Sequence, residues 1–297
     1  MDDQATESLL RFFRALTDPR AANARHLLSD ILGIAILAVL CGSESWESVE
    51  AWGRGNFDFL ATFLELPHGV PSHDTFDRVF AMLDALEFER CFTTWTAALV
   101  DHSGGLLIAV DGKTLRRSWR HAWSKTPVHM VSAFAVQNQL VLGQLATDDK
   151  SNEITAIPRL LAMLDLAGAT VTIDAMGCQR EIAAQIIRQK GHYLLAVKDN
   201  QPTLHQKVKA LLDEALLDGF AGMKHDKHEQ SNDGHGRLEK RQVWVTDQVH
   251  WLGEPLLAQW PGLAAIAVVQ STRQDLGDLS GKIKYRATLL HQQSPAT

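Results

Sequence analysis

Three cysteines, Cys41, Cys91 and Cys178, are all that 297 residues contain, and they form no Cys-x-x-Cys pair. Their odd number and wide spacing exclude a cysteine zinc cage and a disulfide framework, and point to a reduced, cytoplasmic setting. Long apolar runs are scarce as well. The longest, from Ile31 to Cys41, is far short of the roughly 20 residues that span a bilayer, so no membrane association is expected. The amino terminus, Met1-Asp2-Asp3-Gln4, is acidic and does not read as a signal peptide. No internal repeat or low-complexity tract is present. An overall positive charge is missing too: 29 Lys and Arg against 35 Asp and Glu leave a formal charge of -6. A nonspecific nucleic-acid coat protein is therefore excluded, and any DNA contact must come from local patches. What remains is globular, 45% apolar and long enough for one large or two ordinary domains.

The most informative absence is local. From Gly112 through Thr147 there is no Asp or Glu, while Lys113, Arg116, Arg117, Arg120 and Lys125 crowd the start of that span with Trp119 and Trp123 among them. A basic, aromatic segment suits the phosphates and bases of DNA; the alternative is a solvated loop, for which tryptophan is a poor choice.

This segment leaves a short apolar run, Leu106 to Val110, that has the length of a buried strand and ends at Asp111-Gly112. A carboxylate at such a lip costs several kcal/mol to bury unpaired, so it must be exposed, hydrogen-bonded or bound to a metal. A turn-forming Asp-Gly after a strand is the plainer explanation. The pattern recurs in Thr170-Val171-Thr172-Ile173-Asp174-Ala175-Met176-Gly177. If the two strands are parallel neighbours, about 4.8 Å apart, the two carboxylates can share one or two divalent cations. Aspartate oxygens are the hard ligands that Mg²⁺ or Mn²⁺ prefer.

Around these strands the residues up to about 100 read as helices. Leu9, Phe12, Phe13 and Leu16 form one stripe, Leu27 to Cys41 is apolar on most faces, Ser72 is a candidate N-cap, and Phe76, Val79, Phe80 and Leu83, then Phe88, Phe92, Trp95 and Leu99, form two more stripes. Beyond His102-Ser103-Gly104-Gly105 the expected order is three strands, helix, strand, helix, strand, the order of a ribonuclease-H-like domain. The stretch from Gly219 to Gly236 reads as a polar, mobile loop; its His225, His228 and His235 lack the His-x-x-x-His spacing of a helical metal site. Strands are expected again over Gln242–Val249, Ala264–Gln270 and Ile283–Leu290.

Several stretches together resemble one family, the DDE-type insertion-sequence transposases of the ISAs type, which include the H-repeat-associated proteins. They are Arg25 to Leu32, Leu40-Cys41-Gly42, Pro71 to Phe80, Ala109-Val110-Asp111-Gly112-Lys113, Ile173 to Gln179, Val197-Lys198-Asp199-Asn200-Gln201 and His235-Gly236-Arg237-Leu238-Glu239. The resemblance implies a helical, transposase-associated domain over residues 1–103, then a ribonuclease-H-like α/β domain over 104–297 with a β-strand insertion over about 219–270. It implies DNA as partner, both transposon ends and target, and Mg²⁺ or Mn²⁺ held by the catalytic carboxylates Asp111 and Asp174. Lys113, Arg116, Arg117 and Lys198 become the candidate phosphate contacts, and self-association as a homodimer follows by analogy.

The family's third carboxylate lies in a His-Trp-x-Ile-Glu-Asn-like motif on a late helix, and no such motif occurs here. Glu239 is the tempting substitute, although it matches the inserted segment. One back-translation of His291 to Pro295, shifted by one base, encodes Ile-Ser-Ser-Leu, the family's continuation, so a frameshift truncation is expected. The sequence therefore implies a transposase impaired by loss of that carboxylate, or else a catalytically dead DNA-binding remnant that inhibits full-length copies. Two other chemistries fail on their residues: Lys113 stands where an aspartyl phosphatase needs its acid, and Leu107 where a phosphate-binding loop needs glycine.

Overall fold

Helical spacing of apolar residues builds the first of two units, Met1–Leu99 and Val100–Thr297. The computed structural model describes residues 9–22, 24–100, 105–114, 129–147, 153–234, 237–275 and 278–291. Residues 9–13 are helical (α1), and Leu9, Phe13 and Leu16 are buried. Helix α2 (Leu28–Leu40) buries Ile31, Leu32, Ile34, Ala35 and Ala38, while Val39 and Leu40 at its end are exposed. After it come α3 (Trp46–Gly55), α4 (Phe57–Leu60), α5 (His73–Met82) and α6 (Ala85–Leu99). Helix α3 starts at a capping box in which Ser45 and Ser48 satisfy each other's backbone N–H groups. The stripe on α5 is buried at Phe76 and Val79, and Trp46 stacks on Phe76 at 6.0 Å. On α6 the aromatic stripe is only partly covered, and Cys91, Thr93 and Thr96 are the buried residues.

Two polar devices fix this unit. Asp30 is 2% exposed and accepts the backbone N–H groups of Leu66 at 3.0 Å and Glu65 at 3.3 Å. Those bonds draw its carboxyl down, but burial outweighs them and pushes its pKa up. Ser72 stands at the N-cap of α5 without making the expected cap bond. Glu50 of α3 takes that role, accepting the His73 N–H at 2.7 Å and meeting the ring Nδ1 at 2.8 Å. A charged acceptor outcompetes a hydroxyl for a helix N-terminal donor.

The second unit is a mixed α/β fold on a large, mostly antiparallel sheet. Its first part runs β1 (Leu107–Thr114), β2 (His129–Ala135), β3 (Leu140–Thr147), α7 (Glu153–Ala162), β4 (Thr170–Ile173), α8 (Arg180–Arg188) and β5 (His192–Val197), the order expected from the sequence. Then follow α9 (Pro202–Leu217), β6 (Asp226–Gly234), β7 (Arg237–Thr246), α10 (Glu254–Leu257), β8 (Ala265–Asp275) and β9 (Asp278–His291). Among the described residues the sheet has nine strands in the order β3-β2-β1-β4-β5-β9-β8-β7-β6. Only β1–β4 and β4–β5 are parallel. Helices α7 and α8 cover one face: Ile157, Leu160 and Leu161, with Ile182 and Ile186, share a core with Ile108, Val110, Val171, Ile173 and Leu195. Each such aliphatic side chain contributes about 1.5–3 kcal/mol on burial.

The stretch expected as a loop over Gly219–Gly236 is a strand over half its length, since β6 pairs with β7 from Asp226↔Val245 to Gly234↔Arg237. Its polarity hid it. On this outer strand of the described sheet, cross-strand charge pairs replace apolar burial: Lys240 meets Glu229 at 2.6 Å, and Lys227 lies 5.3 Å above the Trp244 ring.

The Glu50–His73 pair predicts a pH dependence. The hydrogen bond to Glu50 raises the His73 pKa above its ordinary 6.5, and the His73 backbone and ring bonds hold Glu50 below 4.5. The histidine contribution is complete below pH 6.5 and lost as pH rises through the raised value. The carboxylate contribution is present above pH 4.5 and lost on acidification. Thermal melts should therefore show a small fall in wild-type Tm between about pH 6 and 8 that is missing from His73→Gln.

Candidate active site

Strand β1 carries Asp111 because its alternation puts Ile108 and Val110 into the core and the odd-numbered residues on the other face. Strand β4 does the same with Val171 and Ile173. The parallel register pairs Val110 with Ile173 as the last partners, so Asp111 and Asp174 are the next residues on adjacent strands. Both are exposed. They stand on the face opposite α7 and α8, with strand spacing of about 4.8 Å between their backbones. Ser132 of β2 flanks Asp111 from the other side.

Asp174 also begins a 3₁₀ turn, Ala175–Gly177, and its Oδ1 accepts the Met176 N–H at 3.0 Å. The turn is tied to the segment after β5: Asn200 donates to the Ala175 carbonyl at 2.5 Å, and Gln201 donates to the Cys178 carbonyl at 3.0 Å. These bonds give Asn200 and Gln201 a structural reason that the sequence pattern alone did not supply. Burial in an apolar setting raises the Cys178 pKa to about 12, so this thiol is inert as a nucleophile.

Lys113 lies on β1 two residues beyond Asp111 and is exposed; Lys198 follows β5 and is exposed. The two lysines sit at the same end of the parallel strands as the aspartates. Arg116, Arg117, Trp119 and Trp123 lie outside the described residues.

Glu239 does not join the pair. It belongs to β7, pairs across the ladder with Asn232 and Arg273, and is held by Arg241 at 2.9 Å. Strand β7 is four steps along the sheet from β4, roughly 19 Å at the usual strand spacing.

A carboxylate that sequence reasoning overlooked is Glu153, in the first turn of α7 and 8% exposed. A Cβ on Gly112 would stand 2.5–2.6 Å from its Cδ, Oε1 and Oε2. Gly112 is paired with Val131 inside β1 and has no positive φ. Close approach of Glu153, and no turn, explains this glycine.

Comparison with known proteins sets this geometry in a family. The model described as "Transposase DDE domain" matches residues 102–286, and the one described as "DDE_Tnp_1-associated" matches residues 10–96. The chain belongs to the DDE transposase family. An uncharacterized protein in the dhlA 3′ region of Xanthobacter autotrophicus is 42% identical over 91% of this chain and 90% of its own length. YbfL of Escherichia coli (strain K12) is 39% identical over 92% of this chain and 71% of its own length. The H repeat-associated protein YhhI of the same strain is 40% identical over 85% and 66%. These relatives bear out the ISAs-type resemblance. Among the described residues no helix is long and apolar enough to cross a membrane.

Packing beneath Asp174 supplies a test of the site's construction. A methyl group on Gly177 would lie 2.2 Å from Ile173 Cγ2 and 3.1 Å from Ile157 Cδ1. Gly177→Ala should therefore destabilise the fold by about 1–3 kcal/mol, read as a lower urea midpoint with an unchanged slope.

Proposed function

We propose that this DDE family member binds insertion-sequence ends and carries out divalent-metal-dependent DNA strand cleavage and transfer on a ribonuclease-H-like domain. The observation that carries the reading is the parallel β1–β4 register, which makes Asp111 and Asp174 neighbours on one exposed face. Support for the fold comes from the element order and from the β3-β2-β1-β4-β5 half of the sheet.

The donor set fits a hard cation: two carboxylates side by side at the ends of adjacent strands, with the Asp174 carboxylate oriented by the Met176 N–H. Asp111 and Asp174 would hold Mg²⁺ or Mn²⁺, which when bound supplies Lewis-acid activation of water or a DNA 3′-hydroxyl for attack at phosphorus. Lys113 and Lys198 contribute the positive charge that an incoming phosphodiester needs, and Arg116 and Arg117 extend that role by sequence. Two ends must be paired for transposition, so a homodimer is the expected working form.

A second reading, a DNA-binding remnant without cleavage that inhibits full-length copies, is favoured by one observation: the strand order puts Glu239, the substitute for the third carboxylate, four strands from β4.

One assay separates the readings. With end-containing DNA and Mg²⁺, the transposase reading expects nicking that Asp111→Asn and Asp174→Asn each reduce by at least about a hundredfold while gel-shift binding persists. Binding without nicking by the wild-type chain would select the remnant, and no binding would sink both. In the same gel shifts, Lys113→Ala and Lys198→Ala should each lower the slope of log affinity against log salt by about one unit.

A further inference from the structure

Glu153 is a buried carboxylate set directly against the backbone of the residue that follows Asp111. Nothing in the DDE pattern assigns it a role. Room for it exists only because position 112 has no side chain, and the strand accepts a glycine there although Gly in a strand interior costs about 0.5–1 kcal/mol relative to alanine. The same helix that carries Glu153 is anchored in the core through Ile157, Leu160 and Leu161. Its first turn is thus a firm platform beside the end of β1.

The contact is local to the site. Asp111 and Lys113 flank Gly112 on the strand, so any movement of the Glu153 carboxylate against Gly112 is felt by both neighbours. When ionised, Glu153 adds negative charge on the α7 side of β1, the strand that carries Asp111 and pairs with the strand that ends at Asp174. It is not gathered with the two aspartates as a ready-made cage among the described residues. Its action is therefore through the β1 backbone and through its field.

We propose that Glu153 is a positioning residue for the divalent-cation site: packed on Gly112, its carboxylate sets the end of β1, and with it Asp111, and strengthens the negative field that draws the cation in. The inference rests on the cation-binding reading of Asp111 and Asp174 given above. Groups that orient metal ligands without touching the metal typically change its affinity by about 10–100-fold when removed.

The test is Mn²⁺ binding to the full chain, followed as loss of the free-ion electron paramagnetic resonance signal, with a thermal melt recorded for every variant. Glu153→Gln keeps size and removes charge, and should weaken Mn²⁺ binding about tenfold or more with little change in Tm. Gly112→Ala keeps the charge and displaces the carboxylate, and should weaken Mn²⁺ binding in the same direction. Glu153→Asp should recover part of the affinity lost in Glu153→Gln. A Glu153→Gln affinity within about twofold of wild type overturns the proposal, whatever its Tm. Should that variant fail to fold, Glu153→Asp decides: it retracts the carboxylate by one methylene, and unchanged Mn²⁺ affinity overturns the proposal. Asp111→Asn distinguishes the two levels. If it abolishes Mn²⁺ binding and the Glu153 variants do not alter it, only the Glu153 inference falls; if it leaves Mn²⁺ binding intact, the cation reading falls as well.

Discussion

Everything that makes the second unit a candidate enzyme depends on the parallel pairing of β1 with β4. Parallel strands cannot be joined by a tight turn, so the chain must leave β1, form the β2–β3 hairpin and cross through α7 before returning beside it. That crossover brings residues 63 positions apart in the chain, Asp111 and Asp174, to the same lip of the sheet. A slip of one residue in either strand would send one carboxylate into the core face with Val110 and Ile173. The apolar alternation of both strands, anchored on α7 and α8, prevents the slip. Register, held by burial on one face, is what brings the two carboxylates side by side on the other.

Around that pairing the supports are backbone-directed. Asn200 and Gln201 grip carbonyls of the turn and loop after Asp174, so the segment leaving β5 fixes the segment leaving β4. Glu153 reaches β1 from α7 at Gly112. Each strand end is thereby restrained by an element that does not belong to its own hairpin. Backbone restraints of this kind are insensitive to side-chain rotamers, which suits a site whose own side chains are exposed.

The legible parts of the sequence were those with local signals. Strands β1 and β4 showed as short apolar runs closed by aspartate and glycine, and α5 showed through Phe76 and Val79. Strand β6 was illegible because its own residues, Asp226 to Gly234, are polar throughout, and a polar run without alternation carries no strand signal by itself. Glu153 was missed for a different reason. Its meaning lies in a contact with Gly112, 41 residues away, and Gly112 had a sufficient local explanation as a turn former. Glu239 was tempting as a carboxylate although its motif matches the inserted segment, and the strand order puts it out of reach. The DDE family assignment was legible because it rests on many short stretches spread along the chain, and no single one of them decided it.

Electrostatics explains why the aspartate pair sits at an exposed lip. Two unit charges one strand spacing apart, about 5 Å, repel by about 1 kcal/mol in water, but by about 3 kcal/mol at an effective dielectric of 20. Exposure keeps the cost near the lower figure, so the fold tolerates both charges before any cation arrives. The same exposure leaves the pair open to a phosphodiester, which a chain of net charge -6 repels as a whole. On the proposed reading, a cation must reverse the sign of the lip before DNA can dock there, with Lys113 and Lys198 helping from the flanks. On the same reading, Glu153, buried on the α7 side and set against Gly112, would act on the cation from the side of the sheet away from the nucleic acid.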